Sequence, residues 1–173
     1  MSPPESHHIL LTGRPGIGKT TVIIRLAARL ECARVAGFYT REIRVAGSRV
    51  GFEAVTLSGR SGRLAHVEQR GPHRVGRYGI DVVGFEALVL PELERTSDVF
   101  LIDEIGRMEC FSSRFVTAVR RILDGPRRVV ATVALSGGGF IAEVRNRPEV
   151  EIWQVEPDNR DDLPARLAAR IAP

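Results

Sequence analysis

A glycine-rich segment near the amino terminus carries the residues best suited to chemistry. It fits the pattern G-x-x-x-x-G-K-[ST] and consists of Gly13, Arg14, Pro15, Gly16, Ile17, Gly18, Lys19 and Thr20. Its glycines allow backbone N–H groups to wrap around a phosphate. Lys19 is the only lysine among the 25 basic residues, and its compact ammonium reaches between phosphate oxygens where a broad guanidinium does not fit. Residues 13–20, the phosphate loop, therefore predict a binding site for the phosphates of a nucleotide.

A pair of acids further along the chain supplies the second half of the predicted site. The apolar residues 99–102 run directly into Asp103 and Glu104. A strand that delivers an acid beside a phosphate loop predicts that Asp103 and the hydroxyl of Thr20 hold Mg²⁺. Glu104 is then predicted to be the base that orients and deprotonates a water. The alternative for Glu104 is a solvated or helix-capping acid at the end of the strand.

Three arginines are candidates for neutralising charge on a transferred phosphoryl group. Arg41 and Arg44, near the end of the second predicted strand, are the stronger candidates, and Arg107 follows the acidic pair. A structural role is the alternative for each of them. Glu109 either orients the neighbouring acids or is an acid favoured by the dipole of the next helix.

A polar segment after the last predicted strand is expected near the nucleotide base. Ligands of open α/β sheets bind beyond the carboxyl ends of the strands, which is where residues 156–161 would lie. Asn159 would hydrogen-bond the edge of the base, and Arg160 would stack on it. The alternative is ordinary capping of the following helix by Asp158 or Asn159.

The pattern of apolar runs indicates which elements position these residues. Residues 99–102 and 129–134 lack period-two alternation and indicate strands buried on both faces of a parallel sheet. Residues 46–48 form a turn signal between two β-rich runs, so an antiparallel hairpin is expected. Predicted strands cover 8–12, 34–43, 49–57, 63–68, 98–103, 128–134 and 150–155. Predicted helices cover 18–31, 83–97, 111–124, a short stretch within 136–147, and 159–171. These elements predict a three-layer α/β fold with a mostly parallel sheet and an antiparallel hairpin flank.

Length and composition limit the remaining possibilities. With 173 residues and 43% hydrophobic side chains, residues 1–173 are expected to form a single domain with one core. No apolar run is long enough for a membrane span, and Cys32 and Cys110 are too isolated for a disulfide framework or a zinc site, so a cytoplasmic protein is expected. The net charge of +4 leaves nucleic-acid binding possible but not favoured, because the arginines are scattered and only 6% of residues are aromatic. His7, His8, His66 and His73 are too dispersed for a metal site.

Several stretches resemble one family, the small cancer-related or thermophilic-type nucleoside triphosphatases. The matching stretches are residues 11–21, 37–44, 49–53, 75–80, 101–109 and 159–161. The run Asp-Glu-Ile-Gly-Arg-Met-Glu at 103–109, combined with the phosphate loop, is the most specific of them. Residues 136–139, Ser-Gly-Gly-Gly, depart from the more basic or proline-containing loop expected there.

The resemblance implies a RecA-like P-loop fold and Mg²⁺-dependent, slow hydrolysis of ATP, GTP and other nucleoside triphosphates to diphosphate and phosphate. It extends the phosphate-contacting stretch to Thr21 and makes residues 99–106, including Gly106, a second nucleotide-contacting segment. It also assigns the metal and water-activating roles to Asp103 and Glu104.

Two other functions remain open from the sequence. A phosphotransferase would pass the γ-phosphoryl group to a nucleotide, a nucleic-acid end or a small hydroxyl compound, held by the arginine-rich segment 43–80. Its arginines are Arg49, Arg60, Arg63, Arg70, Arg74 and Arg77. A nucleotide-gated binding module would use hydrolysis only as a timer. The oligomeric state does not follow from any sequence feature.

Overall fold

The computed structural model describes residues 8–30 and 34–171, so His7 and Cys32 lie outside the described residues. The strands are β1 (His8–Thr12), β2 (Val35–Val45), β3 (Ser48–Thr56), β4 (Ser61–His66), β5 (Arg74–Val75), β6 (Tyr78–Ile80), β7 (Val99–Ile105), β8 (Arg128–Val133) and β9 (Val150–Gln154). The helices are α1 (Lys19–Arg29), α2 (Val82–Leu93), α3 (Ser113–Leu123), α4 (Gly139–Arg145) and α5 (Leu163–Ile171), and a 3₁₀ turn covers Glu109–Phe111. No helix within the described ranges is both long enough and apolar enough to cross a bilayer.

The strands of the described residues form one sheet in the order β5-β6-β4-β3-β2-β7-β8-β1-β9. The strands β2, β7, β8, β1 and β9 run parallel, whereas β3, β4, β6 and β5 add to β2 in antiparallel pairs. Because the carboxyl ends of parallel strands meet at one edge of a sheet, β1 and β7 bring the phosphate loop and the acidic pair to the same edge. The predicted α/β fold is confirmed, and the antiparallel flank is larger than the predicted hairpin.

Helices cover both faces of the sheet and bury two separate apolar clusters. On one face α2, α3 and α4 pack around Phe38, Phe85 and Phe115, whose rings meet edge to face at centroid distances of 5.4 to 5.9 Å. On the other face α1 and α5 pack on β1 through Leu26 and Leu167. Full burial of each of these side chains is worth about 1.5–3 kcal/mol. The sheet that carries the candidate site is therefore held rigidly between two layers.

The β2–β3 hairpin projects beyond the parallel part of the sheet. β2 pairs with β7 only over residues 35–38, whereas it pairs with β3 from Phe38 to Val45. The turn residues Ala46 and Gly47 both have positive φ, 47° and 78°, as a tight two-residue hairpin turn requires. The outer half of this hairpin therefore extends past the edge where the phosphate loop lies.

Several predicted boundaries are wrong, and the reason is local in each case. The helix predicted at 83–97 ends at Leu93 because the chain must turn to enter β7. The helix predicted at 111–124 starts at Ser113, since the hydroxyl of Ser112 caps it by accepting a hydrogen bond from the N–H of Phe115 at 2.9 Å. The helix predicted at 159–171 starts only at Leu163. β5 and β6 were not predicted because two or three residues are too short to show a period.

Candidate active site

A cavity of about 560 Å³ opens at the edge of the sheet where the parallel strands end. The phosphate loop and the first turn of α1 form one part of its wall, and the projecting hairpin forms another part. Lys19, Thr20 and Thr21 line the first part, and Glu104 also borders the cavity. The structure thus brings the two halves of the predicted site to one cavity.

The phosphate loop is held in shape by its glycines and its lysine. Gly16 and Gly18 have φ of 77° and 112°, which only glycine adopts without strain. The ammonium of Lys19 donates to the backbone oxygens of Gly13 at 2.9 Å and Arg14 at 3.3 Å, so it lies across the loop. Among the described residues it has no carboxylate partner within ion-pair distance.

Two other members of the loop point away from the cavity. The side chain of Ile17 is buried, 4% exposed, in the apolar cluster under α1 and anchors the loop to the core. The side chain of Arg14 is exposed to solvent. Pro15 lines the cavity. Arg14 and Ile17 can therefore contribute backbone groups to a bound phosphate, while their side chains serve solvation and anchoring.

Asp103 is held by threonines from three different elements. Its carboxylate is 1% exposed. Thr20 of α1 donates its hydroxyl to Oδ2 at 2.8 Å, and Thr132 of β8 donates to Oδ1 at 2.7 Å. From β2, Thr40 donates its backbone N–H to Oδ2 at 3.2 Å. Thr40 and Thr132 were not predicted as site residues. The available signal was that Thr132 lies near the carboxyl end of β8 and Thr40 lies just after the last pair of β2 with β7.

Glu104 faces the cavity at the point where β7 leaves its regular pairing with β8. The register of the two strands shifts between Ile102 and Ile105, and the peptide bond between Asp103 and Glu104 is cis. Burial, together with the charge of Asp103, raises the pKa of the Glu104 carboxyl, and Lys19 acts in the opposite direction. In the described part of the chain no side chain is hydrogen-bonded to this carboxyl group. Glu104 is therefore free to accept a hydrogen bond from a small molecule in the cavity.

The predicted arginines separate into two groups. Arg41 lines the cavity, where its Nε donates to Glu53 at 2.5 Å. Arg44 pairs with Glu42 at 2.6 Å and does not line the cavity; neither does the exposed Arg107. Arg49, predicted only as an acceptor-binding residue, lines the cavity instead of Arg44.

The segment after β9 reaches the phosphate loop through the side chain of Arg160. Arg160 donates to the backbone oxygen of Ile17 at 3.2 Å and borders a small cavity of about 220 Å³ beside Gly18 and Thr21. Asn159 instead uses both ends of its amide on backbone groups at 2.9 Å, donating to Gln154 and accepting from Glu156. Arg160 is thus adjacent to the loop, while Asn159 stabilises the turn that carries it.

Together these features define a P-loop nucleoside-triphosphatase fold, in which the phosphate-loop strand and the acid-bearing strand flank a third parallel strand. Residues 8–168 match the sequence profile of a protein family described as NTPase, and the chain belongs to that family. The resemblance noted in the sequence is therefore confirmed.

Relatives and solved structures agree with this assignment. The chain is 42% identical to nucleoside-triphosphatase THEP1 of Thermotoga sp. (strain RQ2) over 158 residues, 90% of each chain. It is 41% identical to the human cancer-related nucleoside-triphosphatase, covering 91% of this chain and 93% of the human one. The crystal structure of THEP1 from Aquifex aeolicus superposes with a TM-score of 0.88 at 34% identity, covering 96% of this chain and 99% of that one. The solution structure of a human cancer-related nucleoside triphosphatase has a TM-score of 0.84 at 38% identity, covering 96% and 97%.

Proposed function

We propose that the protein hydrolyses nucleoside 5'-triphosphates to nucleoside diphosphate and phosphate, with Mg²⁺ as cofactor and water as the acceptor. The observation that carries the proposal is the position of Glu104, a carboxyl group without a hydrogen-bond partner among the described residues, in the same cavity as Lys19. A base that activates water and a cation that binds phosphate oxygens are two of the groups that hydrolysis of a γ-phosphate uses. The family and the names of its members support the same activity.

The donor set around Asp103 suits Mg²⁺. The described residues contain no cluster of three or more His, Cys, Asp or Glu side chains that would form an all-protein metal cage. Mg²⁺ is usually bound by one or two protein oxygens, with waters and substrate phosphates completing its shell. The Asp103 carboxylate and the Thr20 hydroxyl offer such oxygens, and they would hold the ion. When bound, Mg²⁺ neutralises charge on the β- and γ-phosphates.

Different groups of the cavity are proposed to bind the phosphates, activate the water and neutralise the developing charge. Backbone N–H groups of residues 13–20 and the start of α1 bind the phosphates, helped by the helix dipole. Lys19 exchanges its two backbone oxygens for phosphate oxygens. Glu104 orients a water and takes its proton as the water attacks the γ-phosphorus. Arg41 can turn from Glu53 towards the negative charge that develops on the transferred phosphoryl group. Arg44, paired with Glu42 outside the cavity lining, is not placed to do so.

Weak discrimination between bases follows from the contacts after β9. Gly18, Thr21 and Arg160 border the small cavity that would receive the base, and the amide of Asn159 is engaged by backbone groups. Arg160 can stack on any base, whereas hydrogen bonds from a fixed amide would select one. Most of the binding energy would come from the triphosphate, so ATP, GTP, CTP and UTP are all expected to be substrates.

A phosphotransferase is the second candidate, favoured by one observation. Arg49 lies on the hairpin wall of the cavity and could hold an acidic acceptor beyond the γ-phosphate. It is already engaged, donating to Glu42 at 2.9 Å and to the Tyr78 hydroxyl at 3.0 Å. The other five arginines of segment 43–80 named as acceptor candidates do not line this cavity. The hydrolase is therefore the better-supported function.

The experiment that tests the proposal measures phosphate release from ATP, GTP, CTP and UTP with Mg²⁺, and with EDTA in place of Mg²⁺. We expect similar rates on the four substrates and no release in EDTA. Parallel incubations with labelled ATP and nucleoside monophosphates, 5'-hydroxyl oligonucleotides or small polyols test for phosphoryl transfer. Transfer that exceeds phosphate release would replace the hydrolase with the phosphotransferase. A rate that is unchanged by DNA or RNA would exclude the nucleic-acid-gated module.

The first prediction for the metal site concerns Thr132, which bonds Asp103 but does not line the cavity that would hold the phosphates. Thr132→Val keeps the shape of the side chain but removes the hydrogen bond to Asp103 Oδ1. We expect the Mg²⁺ concentration for half-maximal activity to rise about tenfold, because groups that orient a metal ligand contribute about that much to affinity. The measurement is an Mg²⁺ titration of phosphate release.

Thr56→Val is the matched control for that titration. Thr56 is also buried, but its hydroxyl is bonded to Ser58 and to the backbone N–H of Arg60. This control is expected to lower stability without changing the Mg²⁺ requirement. An unchanged requirement in Thr132→Val would contradict the assignment of Asp103 to the metal.

Three further proposals concern the whole protein. One sheet contains every described strand, which supports a single domain over residues 1–173. A cytoplasmic location is the second. Hydrolysis is proposed to proceed without nucleic acid.

A further inference from the structure

Glu109 is a buried acid that faces the proposed base. It begins the 3₁₀ turn after β7 and is 5% exposed. A Cβ built on Gly106 would lie 2.5 Å from Oε1 of Glu104 and 3.0 Å from Oε2 of Glu109. The two carboxyl groups therefore converge on one point above Gly106, where only a residue without a side chain leaves room for both. No arginine or lysine of the described residues forms an ion pair with either.

Two carboxyl groups this close in a buried place do not both ionise near neutral pH. Burial, and after it the charge of Glu104, raises the pKa of Glu109 from 4.5 to about 8. Glu104 is the more accessible of the two and has Lys19 nearby to favour its charged form. Glu109 is therefore the member of the pair that keeps its proton at pH 7, and a protonated carboxyl group is a hydrogen-bond donor.

We propose that Glu109, in its protonated form, is a positioning residue that donates a hydrogen bond to Glu104 and holds its carboxylate towards the cavity. The inference rests on the proposed function, in which Glu104 is the base. It selects the first of the two roles that the sequence left open for Glu109. It also explains the glycine at 106, because a Cβ there would force the two carboxyl groups apart.

The other charged groups around the turn leave this pair isolated. Cys110 follows Glu109, and burial raises the pKa of its thiol to about 12, so it stays neutral. On α2, Glu86 accepts a hydrogen bond from Ser112 at 2.6 Å and pairs with Arg114 of α3 at 3.4 Å. On β7, Asp103 adds a smaller raising effect to the pKa of Glu109. Arg107, two residues before Glu109, is exposed to solvent and does not act on the Glu109 carboxyl. The backbone N–H groups of Glu109 and Gly106 lower the pKa of Glu109, but burial and the neighbouring acids outweigh them.

The test compares Glu109→Gln and Glu109→Leu with wild type in kcat and KM from pH 6 to pH 9.5. Leu removes the donor, so kcat should fall about tenfold or more with little change in KM. Gln keeps a donor that does not ionise, so it should restore the larger part of kcat at pH 7. Wild-type kcat should fall above pH 8 as Glu109 loses its proton, and the Gln variant should lack that fall. Glu86→Gln replaces a neighbouring acid that is bound to Ser112 and Arg114, and it should keep the wild-type fall.

Thermal unfolding gives a second readout that needs no catalysis. The pKa of Glu109 is raised in the folded state, so its proton stabilises the folded protein below about pH 4.5, and this stabilisation is lost as the pH rises through about 8. Between pH 6 and pH 9, wild type should therefore lose more in Tm than Glu109→Gln. If Glu109 were instead already ionised at pH 6, Tm of wild type and of Glu109→Gln would change in parallel between pH 6 and pH 9. Tm thus tests whether Glu109 holds a proton, and the kcat profile tests whether that proton acts on Glu104.

The outcomes separate this inference from the proposed function. If Glu104→Gln hydrolyses ATP at the wild-type rate, Glu104 is not the base, and the role of Glu109 is overturned with it while hydrolysis itself stands. If Glu104→Gln is inactive while Glu109→Gln shows the wild-type fall above pH 8, only the role of Glu109 is overturned. An equal loss of Tm in wild type and Glu109→Gln between pH 6 and pH 9 would overturn it as well.

Discussion

Replacing Glu104 with glutamine should lower kcat by roughly 10²–10⁴ while the affinity for nucleotide stays nearly the same. Gln has the shape of Glu but cannot take a proton from water. The side-chain oxygen of Gln can still accept the hydrogen bond proposed from Glu109, and Glu104 has no ion pair among the described residues, so the exchange breaks no contact that holds the fold. The phosphates would still meet the loop and Lys19, which is why binding should survive. Single-turnover phosphate release gives the rate, and titration with a fluorescent nucleotide analogue gives the affinity.

Glu42→Gln is the informative comparison, because Glu42 also lines the cavity. Arg49, followed by Arg44, lowers the pKa of Glu42 and holds it as a paired carboxylate, which makes it a poor base. Its replacement should therefore cost less than about tenfold in kcat. If Glu42→Gln were inactive and Glu104→Gln active, the base would lie on the hairpin wall. Hydrolysis that survives both exchanges would favour phosphoryl transfer with water as an accidental acceptor.

Replacing Lys19 with arginine should be nearly as damaging as replacing it with alanine, although arginine keeps the charge. The ammonium of Lys19 lies between two backbone oxygens of the loop, 2.9 and 3.3 Å away, in a space that a planar guanidinium cannot share. The loss of one such preorganised donor costs about 10²–10³ in kcat. We expect both variants to lose activity by at least that factor and to bind nucleotide more weakly. Steady-state hydrolysis and the same binding titration measure the two effects.

Arg29→Lys controls for the chemistry of the exchange. Arg29 is exposed in the last turn of α1, and its replacement puts a lysine into the chain outside the loop. It should leave hydrolysis unchanged. If Lys19→Arg kept wild-type activity, the ammonium would not be reaching the phosphates, and the assignment of the loop would need another cation, with Arg41 the first to examine.

Much of the fold followed from local patterns in the sequence. Buried strands such as β7 and β8 were predicted correctly in type and place, because a short apolar run without period-two alternation is typical of a strand buried on both faces of a sheet. The α1 helix and the β2–β3 hairpin followed from the glycines that begin or turn them. The short strands β5 and β6 did not, and the ends of α2 and α5 moved by four residues each, because those ends depend on what the chain meets next.

The identity of the candidate site was contained in the sequence, whereas its arrangement was not. The phosphate loop and the pair Asp103 and Glu104 are contiguous motifs, so residue type and spacing alone predict them. Thr132 against Asp103, and the choice of Arg41 over Arg44, join segments far apart in the chain. Glu109 lies only five residues from Glu104, yet the spacing does not predict that the turn brings the two carboxyl groups together above Gly106. These contacts depend on how the strands align and how the chain packs at their ends, and only the tertiary structure decides that.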